Sequence, residues 1–600
     1  MEIVANNTVS RGRLLLLAVV FLSMMLVLLG RLCYLQIFQG YVISQEASEQ
    51  SVRKIRVSAM RGRIYDAENN VVVKNRPAYD VSFHLSEMRQ PGSRKETIDY
   101  VLETSAQIAV AIGREQPLSR EDVKRRLRVY PALSWDVYED LDDRELSIAG
   151  EMMPNIPGVD FEVDYARKYE YPGIATHVLG FTGRRRPPDS SRSRSYSYVM
   201  PELRGRAGLE KTFDDHLSGT PGLKTVRVDT LGYVREELST SFEPTPGSNL
   251  YLTLDIKAQK IAEELLGDHR GAFVVVDVRT GAVKVLASSP TYNAARLTGK
   301  RYQDLRAREE DRPLVNRAIG QSYLPGSIIK PLVGLAAIEN ETVEEEHTVY
   351  CDGDYEVGNT SISCWRNYGH GELDMVHAIK QSCNSYFIDI GMETGFDNLR
   401  FMFNKAGFGS KPGIELPGAV AGRLPSRAWM RRNFPRGWLA IDTAFISIGQ
   451  FALNVSPLQA AVYAAAIANG GTIYRPYVVE EIRSADGDML QQTAPRPVNH
   501  LMVSRENLQV IQKGMYLVVN SNTGTAEAAA NDAVSVAGKT GTAQVLTPGD
   551  KHDNAWFIAY APADNPRYAA AVLIEYGNSG GQTAAPLVGK FFKRWLGTDN

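Results

Sequence analysis

Cysteine is scarce in this chain, four residues in 600, which excludes a small disulfide-built scaffold and leaves stability to hydrophobic cores. Charge of one sign is lacking as well: Lys and Arg total 67 against 69 Asp and Glu, a formal net charge of −2. Nothing in that balance argues for a polyanionic partner such as nucleic acid. No nucleotide-binding motif is present. Long apolar runs are missing after the first forty residues. The one that exists runs from Leu14 to Gly30 and, beyond Arg31, continues mostly apolar from Leu32 to Phe38. At 1.5 Å per residue it spans a bilayer. It exceeds the apolar core of a usual signal peptide, and Gly30-Arg31-Leu-Cys-Tyr-Leu-Gln is no small-residue cleavage site. The expectation is an uncleaved single-pass anchor over 14–37. Residues 1–13, with Arg11 and Arg13, stay in the cytoplasm and the rest is exported, into a periplasm if the cell has an outer membrane.

Six hundred residues are too many for one core and point to two or three domains. From Ser44 to Asn249 short strand-like and helical pieces alternate with turns. Val57 to Val73 reads as strand, turn, strand, Gln107 to Leu127 carries two helical patterns, and Val159 to Tyr171 returns to strand. Gly183 to Val199 holds Arg184, Arg185, Arg186, Arg192 and Arg194 among prolines and serines, and reads as a solvated loop. The turn cluster Phe242-Glu-Pro-Thr-Pro-Gly-Ser-Asn249 marks a boundary, giving a strand-rich segment over 38–245 and a second unit over 246–600. That unit opens with a strand at Leu250–Asp255, an amphipathic helix at Ile256–Leu266, and a hairpin around Arg279-Thr280-Gly281. Strands from Ala533 to Glu575 and a closing helix at Pro586–Leu596 complete an α+β pattern in which terminal strands finish the sheet begun by the hairpin.

Between these ends lies Tyr323-Leu-Pro-Gly-Ser327-Ile-Ile-Lys330-Pro331. If a helix starts at the serine, a hydroxyl and an amine three residues apart project from one face. An exposed lysine, with a pKa of about 10.4, keeps its proton at neutral pH. The apolar neighbours Ile328, Ile329, Leu332, Val333, Leu335 and Ala336 supply the burial that would lower it. Two further motifs follow. Gln381-Ser382-Cys383-Asn384-Ser385 offers a hydroxyl and an amide that share a face in an extended loop, and Lys539-Thr540-Gly541-Thr542 on a strand offers a fixed cation, hydroxyls, and a glycine that lets substrate approach the backbone. Each motif alone is weak; the ordered triplet is the pattern of β-lactamases and penicillin-binding proteins.

On these residues, 250–600 resembles the transpeptidase domain of penicillin-binding proteins. The whole chain resembles a class B member, most like the penicillin-binding protein 2 group of the cell-elongation machinery. Arg61-Gly62-Arg63-Ile-Tyr-Asp66, Tyr171-Pro172-Gly173 with His177 and Gly180, Gly205-Arg206-Ala-Gly208-Leu-Glu210, Leu314-Val-Asn316-Arg317-Ala318, Ser447-Ile-Gly449-Gln450 and Trp556-Phe557 support it. Phe451 departs from it, because the family usually has glycine there. The resemblance implies a serine β-lactamase/transpeptidase-like domain on an elongated pedestal of the dimerisation type. It implies that Ser327 attacks the penultimate D-Ala carbonyl of a peptidoglycan stem peptide and that Lys330 accepts its proton. Ser382 and Asn384 would relay a proton to the leaving D-Ala and orient the substrate, Lys539 would tune that network, and Thr540 and Thr542, flanking Gly541, would hold the terminal carboxylate. The Ser327 and Thr542 backbone amides would form the oxyanion hole. An amine of a neighbouring stem peptide would resolve the acyl-enzyme into a cross-link, β-lactams would acylate the same serine, and a SEDS-family glycan polymerase and elongation-complex scaffold proteins would be partners. A lysozyme-like glycosyltransferase domain, which a class A enzyme needs, is not apparent.

Cys33 lies in the anchor, which leaves three exported cysteines, an awkward number for disulfides. Cys351, Cys364, His370 and Cys383 are separated by thirteen, six and thirteen positions, a closed set for structural zinc though not a zinc-finger spacing. Free thiols, or a disulfide and one free thiol, are the other readings, and Asp352 or Asp354 could replace Cys351. In an extended loop Cys383 points away from Ser382 and Asn384, and some members of the resembling family carry zinc at this place. His347 and His377 read as surface or core residues. A division-specific class B enzyme shares all three motifs. A β-lactam sensor needs more spans and a cytoplasmic effector than about thirteen residues before the anchor provide, and the intact motifs argue against a non-enzymatic scaffold.

Overall fold

A computed structural model describes residues 11–39, 51–130, 133–185, 202–229, 234–297, 299–344, 346–547 and 550–597. Helix α1 (Arg11–Cys33) runs into a π-helical turn at Tyr34–Phe38, and together they are long and apolar enough to cross a membrane. None of its residues is buried by protein.

The seven-stranded sheet crosses the boundary marked by the turn cluster. Strand β1 (Ile64–Tyr65) pairs antiparallel with β2 (Val71–Phe83), which pairs along its length with β3 (Val159–Tyr169). On its other side β1 runs parallel to β4 (Asn249–Leu252), with Leu250 opposite Ile64. The core follows the same path: Ile64, Val72 and Leu209 pack in one apolar cluster with Leu250, Leu252 and the interior of the following unit. A second core, around Val81, Phe83, Val101, Ile108 and Val123, serves the outer part of the pedestal, where two amphipathic helices cover the sheet.

Beyond β4 come α2 (Ile256–Leu266), β5 (Gly271–Asp277) and β6 (Val283–Ser289). Helices α3 (Lys330–Glu339), α4 (Met375–Gln381), α5 (Asn384–Lys405), α6 (Pro457–Ala468) and α7 (Arg505–Asn520) pack beside the sheet, and α6 is buried on every face. Strands β7 (Ala537–Thr547), β8 (Asp550–Ala561) and β9 (Tyr568–Ile574) then complete an antiparallel sheet of order β6-β5-β9-β8-β7, closed by α8 (Ala585–Leu596). The terminal strands thus join the hairpin, as the sequence reading expects.

The arginine-rich segment needs correcting where it is described. Thr182–Arg185 is a strand paired with Glu202–Gly205 and not a loop, while Arg184 is exposed, as the solvated reading has it, and also forms ion pairs with Asp80, Glu139 and Asp164. Residues 186–199 of the expected loop lie outside the described residues.

The pedestal is locked by a buried ion cluster. Glu210 receives Arg61 Nε at 2.6 Å and Arg167 Nε at 2.8 Å, and Arg61 also reaches Asp214 at 2.7 Å. Burial pushes the Glu210 carboxyl up, but Arg167 and Arg61 outweigh it and hold the group below the usual carboxylate range. Removing this one partner leaves the buried Arg167 guanidinium without a carboxylate and Arg61 with Asp214 alone. Glu210→Ala is therefore expected to lower stability by about 3–5 kcal/mol, read by chemical or thermal unfolding, and a change under 1 kcal/mol would contradict the arrangement.

Candidate active site

Ser327 lies in a 3₁₀ turn, Gly326–Ile329, and Lys330 opens α3 directly after it. The turn is 3₁₀ where the sequence led to an α-helical start, and side chains at i and i+3 eclipse one another in such a turn. The turn is wedged between two backbones. Gly326 has φ 56°, and a Cβ there would fall 2.5 Å from the Thr542 carbonyl oxygen; one on Gly449 would fall 2.1 Å from the Gly326 oxygen. The Gly326 N–H donates to Gly449 O at 2.9 Å, the Tyr463 hydroxyl to Ile328 O at 2.9 Å, and the Trp556 indole to Leu324 O at 3.0 Å.

A cleft of about 960 Å³ opens over this turn. Ser327, Ser382, Asn384, Thr540, Gly541 and Thr542 all line it. Lys330 and Lys539 lie behind that lining and are fully buried. The Lys330 amine donates to Ser382 O at 2.7 Å and Asn384 Oδ1 at 2.8 Å, with Ser382 Oγ at 3.4 Å. Burial pushes its pKa down, against the pull of the thiol cluster, to about 8. Lys539 donates to Thr540 O at 3.0 Å, and burial, reinforced by repulsion from Lys330, drives it well below the ordinary lysine value.

The loop holding Ser382 and Asn384 differs from the extended form expected. Ser382 caps α4 in the left-handed region (φ 54°, ψ 41°), Cys383 is extended, and Asn384 begins α5. A helix-to-helix corner, not an extended alternation, turns both polar side chains to the cleft and Cys383 inward. A non-glycine residue at positive φ is strained, and here the Lys330 amine on its carbonyl holds it. Gly541 also has a different reason from the one read in the sequence. A Cβ would stand 2.8 Å from Ile328 Cγ2 and 3.0 Å from Pro325 O, so the glycine admits the Ser327 turn against β7. Phe451, the departure from the family pattern, keeps a glycine-like backbone at φ 70° and packs its ring on Phe434 and Trp438.

Behind the corner Cys351, Cys364, His370 and Cys383 gather their ligand atoms within 4.8 Å of one another. All three thiols are buried and none is disulfide-bonded. His370 Nδ1 lies 3.5 Å from Cys351 Sγ and 3.6 Å from Cys364 Sγ. Zn–S near 2.3 Å and Zn–N near 2.05 Å in a tetrahedron require an N···S edge of about 3.6 Å. The set therefore fits a tetrahedral ion. The hydrogen bond between Cys383 and Cys364 lowers the Cys364 thiol and raises the Cys383 thiol, so the proton between them rests on Cys383. Asp352 and Asp354 stand outside the cluster; Asp354 accepts from the Ser363 hydroxyl.

Gln450, marked in the sequence by the Gly449-Gln450 pair, also lines the cleft, and sequence reading missed Ser363, Trp365 and Thr525 there. Asn384 Nδ2 donates to Ser363 O at 3.2 Å, the Trp365 indole to Gln381 O at 2.9 Å, and Thr525 shares a 2.8 Å hydrogen bond with Thr540. No spacing marks these residues, although Trp365 directly follows Cys364.

Comparison with known proteins now decides the relationship. The penicillin-binding protein transpeptidase domain matches residues 271–593, and the penicillin-binding protein dimerisation domain matches residues 56–252. The chain belongs to the class B penicillin-binding proteins. Peptidoglycan D,D-transpeptidase MrdA of Acinetobacter baumannii is 30% identical over 99% of this chain and 89% of its own. The penicillin-binding protein PBP2 of Helicobacter pylori, solved in complex with MreC, superposes with a TM-score of 0.74 at 27% identity, covering 91% of this chain and 99% of that one. A chain from a peptidoglycan synthase complex, described as coordinating polymerization and crosslinking, has a TM-score of 0.70 at 25% identity, covering 98% and 99%. In this penicillin-binding protein the close fit of β7 to the Ser327 turn can be tested directly. Gly541→Ala is expected to cost about 1–3 kcal/mol of stability by overpacking, measured as a lower melting temperature. A fully stable variant would show that Ile328 and Pro325 yield without cost.

Proposed function

We propose that this chain is a peptidoglycan D,D-transpeptidase of cell elongation, with Ser327 as its nucleophile. The observation that carries the reading is the division of labour at the cleft: Ser327 is open to it, while Lys330 is sealed behind it against both Ser382 and Asn384.

Lys330 in its neutral form takes the Ser327 proton as Oγ attacks the penultimate D-Ala carbonyl. The N–H groups of Ser327 and Thr542 hold the developing oxyanion, each donor worth about 2.7–4 kcal/mol. Ser382 passes a proton to the departing D-Ala, Asn384 orients the substrate amide, and Thr540 and Thr542 bind the terminal carboxylate beside Gly541. Lys539 sets the local potential. The amine of a second stem peptide then attacks the ester carbonyl, releasing Ser327 and leaving a peptide cross-link. A β-lactam forms the same ester and stays.

The four-ligand cluster of Cys351, Cys364, His370 and Cys383 holds a structural zinc ion, which supplies no chemistry and fixes the Ser382–Asn384 corner through Cys383. Residues 14–37 anchor the chain with 1–13 in the cytoplasm, 38–245 form the pedestal, and 246–600 form the catalytic unit in the periplasm. Partners are a scaffold protein of the MreC kind and a SEDS-family glycan polymerase, as the two related complexes support.

Labelled penicillin tests the assignment. Ser327→Ala should lose labelling completely while keeping its melting temperature, and Lys330→Ala should lose nearly all of it; surviving label on Ser327→Ala removes that residue from the role. Since the base works unprotonated, acylation should rise with pH and level off above about 8. A rate flat from pH 6 to about 9 would count against Lys330 as the base. The zinc is tested separately. Protein purified without added metal should retain about one equivalent through mild chelation. Cys364→Ser should lower melting temperature and acylation together, and Cys383→Ser should lower both further. Full acylation by a metal-free Cys383→Ser protein would refute the structural role.

A further inference from the structure

A second set of metal-ligand side chains stands on the surface of the same subdomain, unconnected to the thiol cluster. His347, in the segment between α3 and Cys351, faces Asp389 and Glu393 on α5, and the three donor atoms lie within 4.8 Å of one another. The two carboxylates are one helical turn apart, so α5 presents them on one face. His347 Nε2 is buried and has no hydrogen-bond partner. It sits 3.6 Å from Asp389 Oδ2, beyond hydrogen-bond length. Two ligands of one tetrahedral ion, with Zn–N and Zn–O both near 2.1 Å, would stand about 3.4 Å apart.

The surroundings prepare Asp389 for that use. Its other oxygen, Oδ1, accepts the Tyr355 hydroxyl at 2.9 Å, which orients the carboxylate and leaves Oδ2 turned toward the histidine. The Tyr386 hydroxyl donates to the His347 carbonyl at 3.3 Å and fixes the backbone from which the imidazole projects. His347 and Asp389 are part-buried and Glu393 is exposed, so an ion here would keep at least one position open to water.

We propose that His347, Asp389 and Glu393 form a second, exchangeable site for a divalent transition-metal ion, zinc being the class of ion that suits one imidazole and two carboxylates. Bound there, the ion ties the segment leaving α3, the helix that starts at Lys330, to α5, the helix that starts at Asn384. It thus braces the corner from its outer side, whereas the thiol cluster holds it from within.

Cobalt(II) titration of the full-length chain in detergent, first stripped of metal with a strong chelator, separates the two sites, because thiolate ligands give an intense near-ultraviolet charge-transfer band and nitrogen and oxygen ligands do not. The wild type should bind one equivalent under the thiolate band and a further one that adds only weak visible absorption. Asp389→Asn, Glu393→Gln and His347→Gln should each weaken the second equivalent about tenfold or more, and leave the thiolate band unchanged. Glu393 is exposed and makes no contact that folding needs, so its variant keeps the test readable if another fails to fold. Added zinc should raise the melting temperature of protein already holding its thiolate-bound ion, and should not do so in Glu393→Gln. Cobalt bound under the thiolate band alone, or a second equivalent undiminished in all three variants, would mean that His347 and Asp389 form an ion pair only.

Discussion

One buried amine organises the cleft. Lys330 has lost its hydration, and what replaces water is the Ser382 carbonyl, the Asn384 side-chain oxygen and, at longer range, the Ser382 hydroxyl. A cation without such partners would be costly inside a protein, so the positions of α3, the end of α4 and the start of α5 are set jointly by one group. The strained backbone of Ser382 belongs to the same balance. Left-handed geometry costs a non-glycine residue roughly 1–3 kcal/mol, and a hydrogen bond from a charged donor is worth roughly 1.5–3 kcal/mol. The two are of one size, which is why the corner persists.

The second constraint is how closely three backbones meet at Ser327. The Gly449 loop, the Gly326 turn and Thr542 on β7 approach to distances that a single Cβ would forbid. Strand β7 is held in turn by its register with β8, where Lys539, Thr540, Gly541 and Thr542 face Ile558, Phe557, Trp556 and Ala555. The Trp556 side chain then returns to Leu324, just before the Ser327 turn. Burial of Lys539 under this sheet and of Lys330 beside it places two amines within mutual repulsion. That repulsion adds to burial in disfavouring charge on Lys539.

Much of this was legible in the sequence, and the parts that were not have physical reasons. The anchor, the Ile256–Leu266 helix, the hairpin and the terminal strands follow from local periodicity, which the chain does not override. The ordered triplet located the cleft because its residues carry their chemistry in type and spacing. The shape of the Ser382–Asn384 corner did not follow, since left-handed serine is locally disfavoured and is stabilised only by an amine fifty-two positions away. The strand at Thr182–Arg185 was missed for the same reason: its partner strand, Glu202–Gly205, lies seventeen or more positions away along the chain. Gly541 was rightly marked for close approach, but the approaching group is the Ser327 turn. The four residues of the Cys/His cluster were legible by type, while the presence of Cys351 in it, with Asp352 and Asp354 outside, depended on where the hairpin points each side chain.

The pedestal shares more than a linker with the catalytic unit. The turn cluster before Asn249 marks a change of composition, but β1 and β4 pair across it, and Ile64 and Leu250 are buried in the same core. A second tie lies on α2, where Glu263 accepts the Ala175 N–H at 2.8 Å. Burial pushes that carboxyl up to about 7, and its other oxygen has no partner, so the contact is made at an appreciable desolvation cost and any loosening exposes a polar group eager for water. Since α2 packs directly on β6, and β6 on β5, a shift of the pedestal relative to β4 must be taken up by the sheet that carries β7. The pedestal and the following unit are thus joined by paired strands and a common core, and not by the connecting chain alone.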